Sequence, residues 1–250
     1  MRFSFIFPAR GDNEKLLRSL GSIVRQTSRL KDIEVVVGID DDDHELLGMD
    51  YPDLNFKKHI YKRHKDNFAF YYNDLASKST GDVLWVWSQE NYLATRNWDR
   101  IATKLIKRSQ WEIWYGMPKD FVVKNARTMS SGHPKTGERF TCFPMFSRKA
   151  YEALGFVHKP DLRMWGADLY SYMLFSNVEH IIDMGRIEVM SMESQRIDRM
   201  DIYQQDLLEM QRKGLAKIKG TTVSMNIAVD ARKLRYAIGI PRMYRLDMIK

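Results

Sequence analysis

Cysteine is almost absent. Cys142 stands alone in 250 residues, so no intrachain disulfide can form and the chain suits a reducing compartment. Long apolar runs are missing too: none approaches the ~20 residues that span a bilayer. The amino terminus enters a strand directly, with no signal-peptide pattern, and the expectation is a cytoplasmic protein. There is no zinc spacing, no Walker A loop, no G-x-G-x-x-G and no G-x-S-x-G, which argues against zinc modules, P-loop enzymes, dinucleotide folds and serine hydrolases. No repeat or low-complexity tract interrupts the chain. Acidic residues are in deficit, at 32 against 40 Lys and Arg, for a net charge of +8. That balance favours acidic partners in general: nucleotides, nucleic acid or anionic lipid.

What is present is concentrated at the start. Phe3-Ser4-Phe5-Ile6-Phe7 reads as a buried strand bounded by Pro8. Asp12 or Asn13 can cap a helix carrying Leu16, Leu17, Leu20, Ile23 and Val24 at helical spacing. Ile33 to Ile39 is a near-continuous apolar run, typical of a parallel strand covered on both faces. It runs into Asp40, Asp41, Asp42 and Asp43. In open α/β sheets ligands sit beyond the carboxyl ends of strands. The Pro8-Ala9-Arg10 loop and the aspartates both lie at such ends. A cation beside a carboxylate cluster suits a metal-bound phosphate ligand.

The pattern continues as a short strand around Phe56 to Tyr61, a helix from Asn67 to Ser77, and a buried strand Asp82 to Trp87. In that strand Trp85 and Trp87 read as core. Polar Ser88-Gln89-Glu90-Asn91 follows. Trp98 to Lys107 predicts a helix, Ile113 to Met117 a strand, and Lys124 to Arg139 a mobile loop. Phe140 to Phe146 predicts a strand, Arg148 to Leu154 and Ala167 to Ser176 helices, and Val178 to Ile182 a late strand. The character changes near Met200. Ile202 to Lys217 predicts an amphipathic helix, and the remainder is basic and turn-rich. From Asp201 onward there are 10 Lys and Arg against 5 Asp and Glu. This divides the chain into residues 1–200 and a basic C-terminal helical extension, 201–250.

Four segments together resemble the GT-A glycosyltransferases of the family-2 type. They are FIFPARGDNEKLLRSLGSIVRQT, the strand ending in Asp40 to Asp43, NDLASKSTGDVLWVWSQEN, and FPMFSRKAYEALGF with RMWGADLYSYMLF. The likeness covers roughly residues 3 to 185. It implies an α/β GT-A (Rossmann-like) fold: a mostly parallel sheet flanked by helices, with the C-terminal helical appendage outside it. It implies an inverting hexosyltransferase moving a sugar from a nucleotide-diphosphate donor, a UDP-sugar, to an acceptor hydroxyl. By that resemblance Pro8, Ala9, Arg10 and Asp12 line the nucleoside pocket, Asp40 and Asp41 meet the uracil or ribose, and Asn73 supports the pocket. Ser88, Gln89 and Glu90 occupy the donor's metal-binding position. Trp165 and Gly166 contact the acceptor or sugar, and Asp168 is the general base.

The family's Asp-x-Asp is here Ser88-Gln89-Glu90. Glu90 alone remains to ligate Mn²⁺ or Mg²⁺, which accept one carboxylate plus substrate phosphates and water. The chemistry needs such a charge. Glycosyl transfer expels a nucleoside diphosphate, whose growing negative charge a metal or cations must stabilise. Arg127, Lys135 and Arg139 are a second cationic source. A base must deprotonate the acceptor hydroxyl from the opposite face.

Two other readings compete. A nucleotidyltransferase can share the sheet and the nucleotide pocket, but that class opens with a Gly-rich loop and PARGDNEK has one glycine. A degenerate GT-A domain serving as a nucleotide-sugar or glycan binding module fits the missing aspartates. The acceptor class is open: a glycan or a lipid-linked acceptor, with peripheral membrane contact through the basic tail. A nucleic-acid acceptor is disfavoured but compatible with the charge.

Overall fold

In the computed structural model, residues 1–63, 67–124, 127–130, 141–162, 167–192 and 225–239 are described. Trp165, Gly166, Lys135, Arg139 and the expected helix from Ile202 to Lys217 lie outside them.

The chain opens with β1 (Phe3–Ala9), α1 (Asn13–Gln26), β2 (Ile33–Asp40) and a one-turn α2 (His44–Leu47). Then come β3 (Asn55–Tyr61), α3 (Phe68–Lys78), β4 (Val83–Val86), β5 (Asn91–Leu93) and α4 (Trp98–Ser109). The second half holds β6 (Tyr115–Lys124), β7 (Arg127–Ser130), β8 (Met145–Ser147), α5 (Arg148–Leu154), α6 (Ala167–Ser176), β9 (Ile181–Met192) and α7 (Met225–Ala237).

The strands form one mixed sheet in the order β3-β2-β1-β4-β8-β6-β9-β5, with β7 paired to β6. Strands β3, β2, β1 and β4 are parallel, as the apolar runs predict. Beyond β4 the direction reverses: β8 is antiparallel to both β4 and β6, and β6 is parallel to β9. Every residue of β2 and β4 is buried, which is the signature of a sheet covered on both faces.

Aromatic packing fixes the centre. Trp85, Trp87 and Trp98 are fully buried, as the sequence reading holds for the first two. Phe5 stacks on Trp85 with centroids 4.8 Å apart, and Trp98 meets Phe3 edge-on at 4.9 Å. Edge-to-face and offset pairs of this kind add to the area they bury. The indole N–H groups are satisfied, Trp87 by Ser19 Oγ at 2.8 Å and Trp98 by Thr27 Oγ1 at 2.9 Å. Helix α1 therefore presents hydroxyls as well as Leu16, Leu20 and Ile23 to the sheet. Leu17, expected on that stripe, points out and is 42% exposed. Gly81 allows the start of β4 to lie against β1, because a Cβ there would sit 2.8 Å from the Ser4 backbone nitrogen.

Four sequence expectations change. Arg127–Ser130 is a strand paired to β6, not part of a loop. The late strand runs on to Met192. Residues 141–144 are not strand, and β8 is a three-residue segment ending at Ser147. A helix, α7, forms where the tail reads as turn-rich.

Helix α7 packs on α5 and α6. Ile227 and Leu234 are fully buried, and so, nearly, is Asp230. Asp230 Oδ2 accepts from Lys159 Nζ at 2.6 Å and from the Tyr170 hydroxyl at 2.7 Å. This interaction is internal to the fold, and breaking one side of a buried pair leaves the other charge uncompensated. Asp230→Ala is expected to cost about 3 kcal/mol of stability, the scale for such a loss. A urea denaturation series of wild type and variant measures it; a midpoint unmoved by the substitution would show that Asp230 does not help hold α7 to the rest of the fold.

Candidate functional site

The carboxyl ends of β1, β2 and β4 lie side by side because β1 is central in β2-β1-β4. Three loops leave from there: 10–12, 40–43 and 88–90. One residue ties them together. The Arg10 guanidinium bonds Asp40 Oδ2 at 2.7 Å and both oxygens of Asp42, at 2.6 and 3.1 Å. Its backbone N–H donates to Gln89 Oε1 at 2.8 Å, and its carbonyl accepts from Gln89 Nε2 at 2.8 Å. The side chain thus reaches β2 and the backbone reaches β4.

The aspartate run divides its work. Asp40 is buried, and its second oxygen accepts from the Tyr71 hydroxyl. Asp42 holds Arg10, with Arg63 3.7 Å away. Asp43 accepts from the Gly11 N–H at 2.7 Å and caps α2 through Leu46 N. Asp41 keeps its side chain exposed while its N–H donates to the Tyr61 carbonyl at 2.7 Å. Asp12 caps α1 through the Lys15 N–H at 2.9 Å, and that bond holds its carboxyl below the usual range. Hydrogen bonding to Arg10 likewise lowers the Asp42 carboxyl, and the same bond raises the guanidinium.

Pro8 and Ala9 end β1 beside Gly38 and Ile39. Asn73 does not present its amide to solvent. Its Oδ1 accepts from the Val157 and His158 N–H groups at 2.9 and 3.0 Å, and its Nδ2 donates to the His158 carbonyl at 2.7 Å. It joins α3 to the segment after α5. Tyr72 on the same helix donates to the Trp87 carbonyl at 2.6 Å, one residue before Ser88. Ser88 Oγ accepts from the Glu90 N–H at 3.3 Å, and Ser88, Gln89 and Glu90 are all half-buried. Asp168 stands on a separate element, in the first turn of α6. It lies near the Tyr115 phenol, whose pKa is raised by burial and then by the Asp168 charge.

Tyr71 and Tyr72 were not singled out from the sequence as site residues, and Asp42 and Asp43 entered only as members of the aspartate cluster. An amphipathic reading of α3 assigns both tyrosines to the core and leaves their hydroxyls unplaced.

The donor set bears on a metal. Gln89 spends its amide on Arg10, and Arg10 occupies Asp40 and Asp42. Among the described residues no three His, Cys, Asp or Glu side chains are grouped to hold an ion. Glu90 supplies one carboxylate, with the Ser88 hydroxyl beside it and the side-chain amide of Asn91 buried without a hydrogen-bond partner. That set fits Mg²⁺ or Mn²⁺ entering with a diphosphate, since such ions take one or two carboxylates plus phosphate oxygens and water. It does not fit an ion caged by protein alone.

A parallel half ending in three joined loops, followed by a reversed half that carries a helix-start carboxylate, is the GT-A fold, the architecture of nucleotide-sugar glycosyltransferases. Solved structures share it. TarS of S. aureus, residues 1–349 in complex with UDP, superposes with a TM-score of 0.67 at 14% identity, over 98% of this chain and 76% of that one. The mannosyltransferase PcManGT of Pyrobaculum calidifontis, in complex with GDP-Man and Mn²⁺, gives 0.61 at 14% identity, over 95% of this chain and 72% of its own. GalNAc-T7 with UDP, GalNAc and Mn²⁺ gives 0.62 at 15%, over 78% of this chain and 44% of its own. No protein-family model matches the chain, and no curated protein matches its sequence. Among the described residues, no helix is long and apolar enough to cross a membrane.

His158, held by Asn73, gives this region a pH signature. Its ring is buried edge-on to Tyr72 with centroids 4.6 Å apart, and burial pushes its pKa from 6.5 down to about 4. The folded ring stays neutral while the unfolded chain binds a proton, so stability is full above the unfolded pKa and is lost as pH falls from 6.5 to about 4. The loss should reach about 3 kcal/mol. His158→Phe should flatten that part of the stability–pH profile in urea melts; an unchanged slope would assign it to another group.

Proposed function

We propose that the chain is an inverting glycosyltransferase that takes its sugar from a UDP-sugar, with a divalent ion bound alongside the donor. The observation that carries this reading is the joined triad of loops at the ends of β1, β2 and β4, in a fold whose solved examples hold UDP and GDP-Man at such an architecture. Pro8, Ala9 and Arg10 line the nucleoside side with Asp40 and Asp41. Arg10 holds Asp40 in place rather than meeting phosphate, because its guanidinium is already shared between two carboxylates. Glu90, with Ser88, would hold the ion, which when bound supplies positive charge to the leaving diphosphate.

Asp168 takes the acceptor's proton. As the acceptor oxygen bonds to C1, the C1–O bond to the diphosphate breaks and the proton passes to the Asp168 carboxylate. Trp165 and Gly166, just before it, contact the acceptor or the sugar. The acceptor is a glycan or a lipid-linked hydroxyl, and α7 packs on α6, the helix that carries Asp168.

The binding-module reading keeps one feature in its favour: Ser88 stands where the family's Asp-x-Asp has its first carboxylate. Turnover decides between the two. Asp168→Asn preserves size and helix-start polarity, so transfer should fall by ~10²-fold or more while UDP affinity stays put. Wild-type rates in that variant would remove Asp168 from the mechanism.

Donor class has a separate test. UDP with Mn²⁺ should raise the melting temperature more than ADP or NAD does, by the linkage of binding to stability. Glu90→Ala should abolish the Mn²⁺-dependent part of that shift. A full UDP shift in EDTA would show donor binding through cations alone.

A further inference from the structure

A second charged feature lies at the other pole of the sheet. A cavity of about 470 Å³ is lined by Arg29, Arg100, Thr103, Lys104 and Lys107. Arg29 follows α1 and precedes β2, so it sits at the amino end of the strands. Trp98, at the start of α4, packs on Phe3 at the first residue of β1. The seven residues of β1 separate this pole from the Arg10 loop, a distance of roughly 20 Å.

The lining is not a generic solvated face. Arg100, Thr103, Lys104 and Lys107 recur at helical spacing on one side of α4, where like charges repel. Nearby acids are committed. Asp99 is buried and binds the Ser28 N–H at 3.0 Å as well as the Ser28 hydroxyl. Asp32 pairs with Arg29 at 3.4 Å. Arg100 Nε donates to Ser28 Oγ at 3.1 Å, which aims its guanidinium from a fixed stem. Lys104 and Lys107 have no ion pair among the described residues. Thr103 Oγ1 is buried and has no hydrogen-bond partner among them either. A buried hydroxyl without a partner is costly unless a ligand or water fills the role. Here it lies in a concavity walled by four cations.

We propose that this cavity is a binding site for a ligand carrying clustered phosphate groups, separate from the donor site. One phosphate dianion would leave much of the cationic charge uncompensated, whereas a diphosphate or a phosphomonoester lipid headgroup beside its neighbours matches it. Arg29 and Arg100 supply fork-shaped donors suited to phosphate oxygens, and the lysines supply point charges.

The test uses the full chain and two probes, inorganic pyrophosphate and vesicles containing phosphatidic acid. Three variants accompany wild type: Lys104→Glu/Lys107→Glu, the milder Lys104→Gln/Lys107→Gln, and Lys119→Glu/Lys149→Glu as a control for net charge. Lys104, Lys107 and Lys149 are exposed and Lys119 is half-buried, and melting temperatures confirm folding. Saturating UDP and Mn²⁺ are present throughout, so that pyrophosphate does not report on the donor site. Calorimetric affinity for pyrophosphate should fall about tenfold or more in the Glu variant and by less in the Gln variant, and hold in the control. Sedimentation with phosphatidic-acid vesicles, lost in the Glu variant and kept in the control, identifies the source as a lipid headgroup. Pyrophosphate binding without vesicle binding identifies a soluble phosphate. Equal affinities in wild type, Glu variant and control, or no binding of either probe, would overturn the site.

Discussion

Arg10 is the residue on which the arrangement of the site depends. The loops leaving β1, β2 and β4 begin where the sheet stops, and beyond the Asp41 N–H bond to the Tyr61 carbonyl they have little ladder to hold them. Arg10 replaces the ladder. Its guanidinium reaches across to Asp40 and Asp42, and its own peptide group pairs with the Gln89 amide. The two ion pairs differ in weight. Asp42 is 48% exposed, so water and salt screen its pair and it contributes little to stability. Asp40 is 10% exposed and would lose a charged donor inside a low-dielectric pocket. The Asp40 contact therefore sets the geometry, and the Asp42 fork orients the guanidinium that makes it. Tyr71, on α3, completes Asp40 from the other side. A helix, two strand ends and a loop are positioned by a single cation.

This knot changes the electrostatics expected of the site. An isolated arginine beside an aspartate run suggests a cation available to phosphate. In the structure that cation is consumed. Asp12, Asp40, Asp41, Asp42, Asp43 and Glu90 outnumber Arg10, Lys15 and Arg63 around the loops. A bare diphosphate approaching such a rim is repelled, and one that arrives with a divalent ion is not. The acidic rim argues for metal-accompanied donor binding more strongly than Glu90 does by itself.

Much of the frame was legible in sequence, for physical reasons. Short apolar runs bounded by turn residues and rich in β-branched or aromatic side chains favour strands buried on both faces, which gave β1, β2 and β4 and placed the polar loops at their ends. The division of labour within Asp40 to Asp43 was not legible. Neighbouring aspartates in a loop have independent backbone directions, and only the fold shows that Asp43 meets Gly11 while Asp42 meets Arg10. Gln89 was equally hidden, since the motif leaves its middle position without a role and geometry shows it as a clamp. Helix α7 was missed because its apolar residues, Ile227, Ala231 and Leu234, are few and lie among charges. Its stability comes from tertiary contact with α5 and α6 and from the buried Asp230, which no local pattern reports.

The basic face of α4 and the acidic loops are thus spatially separated. The net charge of +8 does not come from the donor loops. Part of it sits on α4, at the far end of the strands, and part on the extension after Asp201. A long-range field set by those regions attracts anionic ligands and surfaces to the molecule as a whole. Within a Debye length of the loops, about 8–10 Å at ordinary salt, the local carboxylates decide instead. Long-range attraction of anions and the local field at the loops are then governed by different residues at different distances. Substitutions in α4 or the extension can alter association with a charged acceptor surface without touching the geometry that Arg10 imposes.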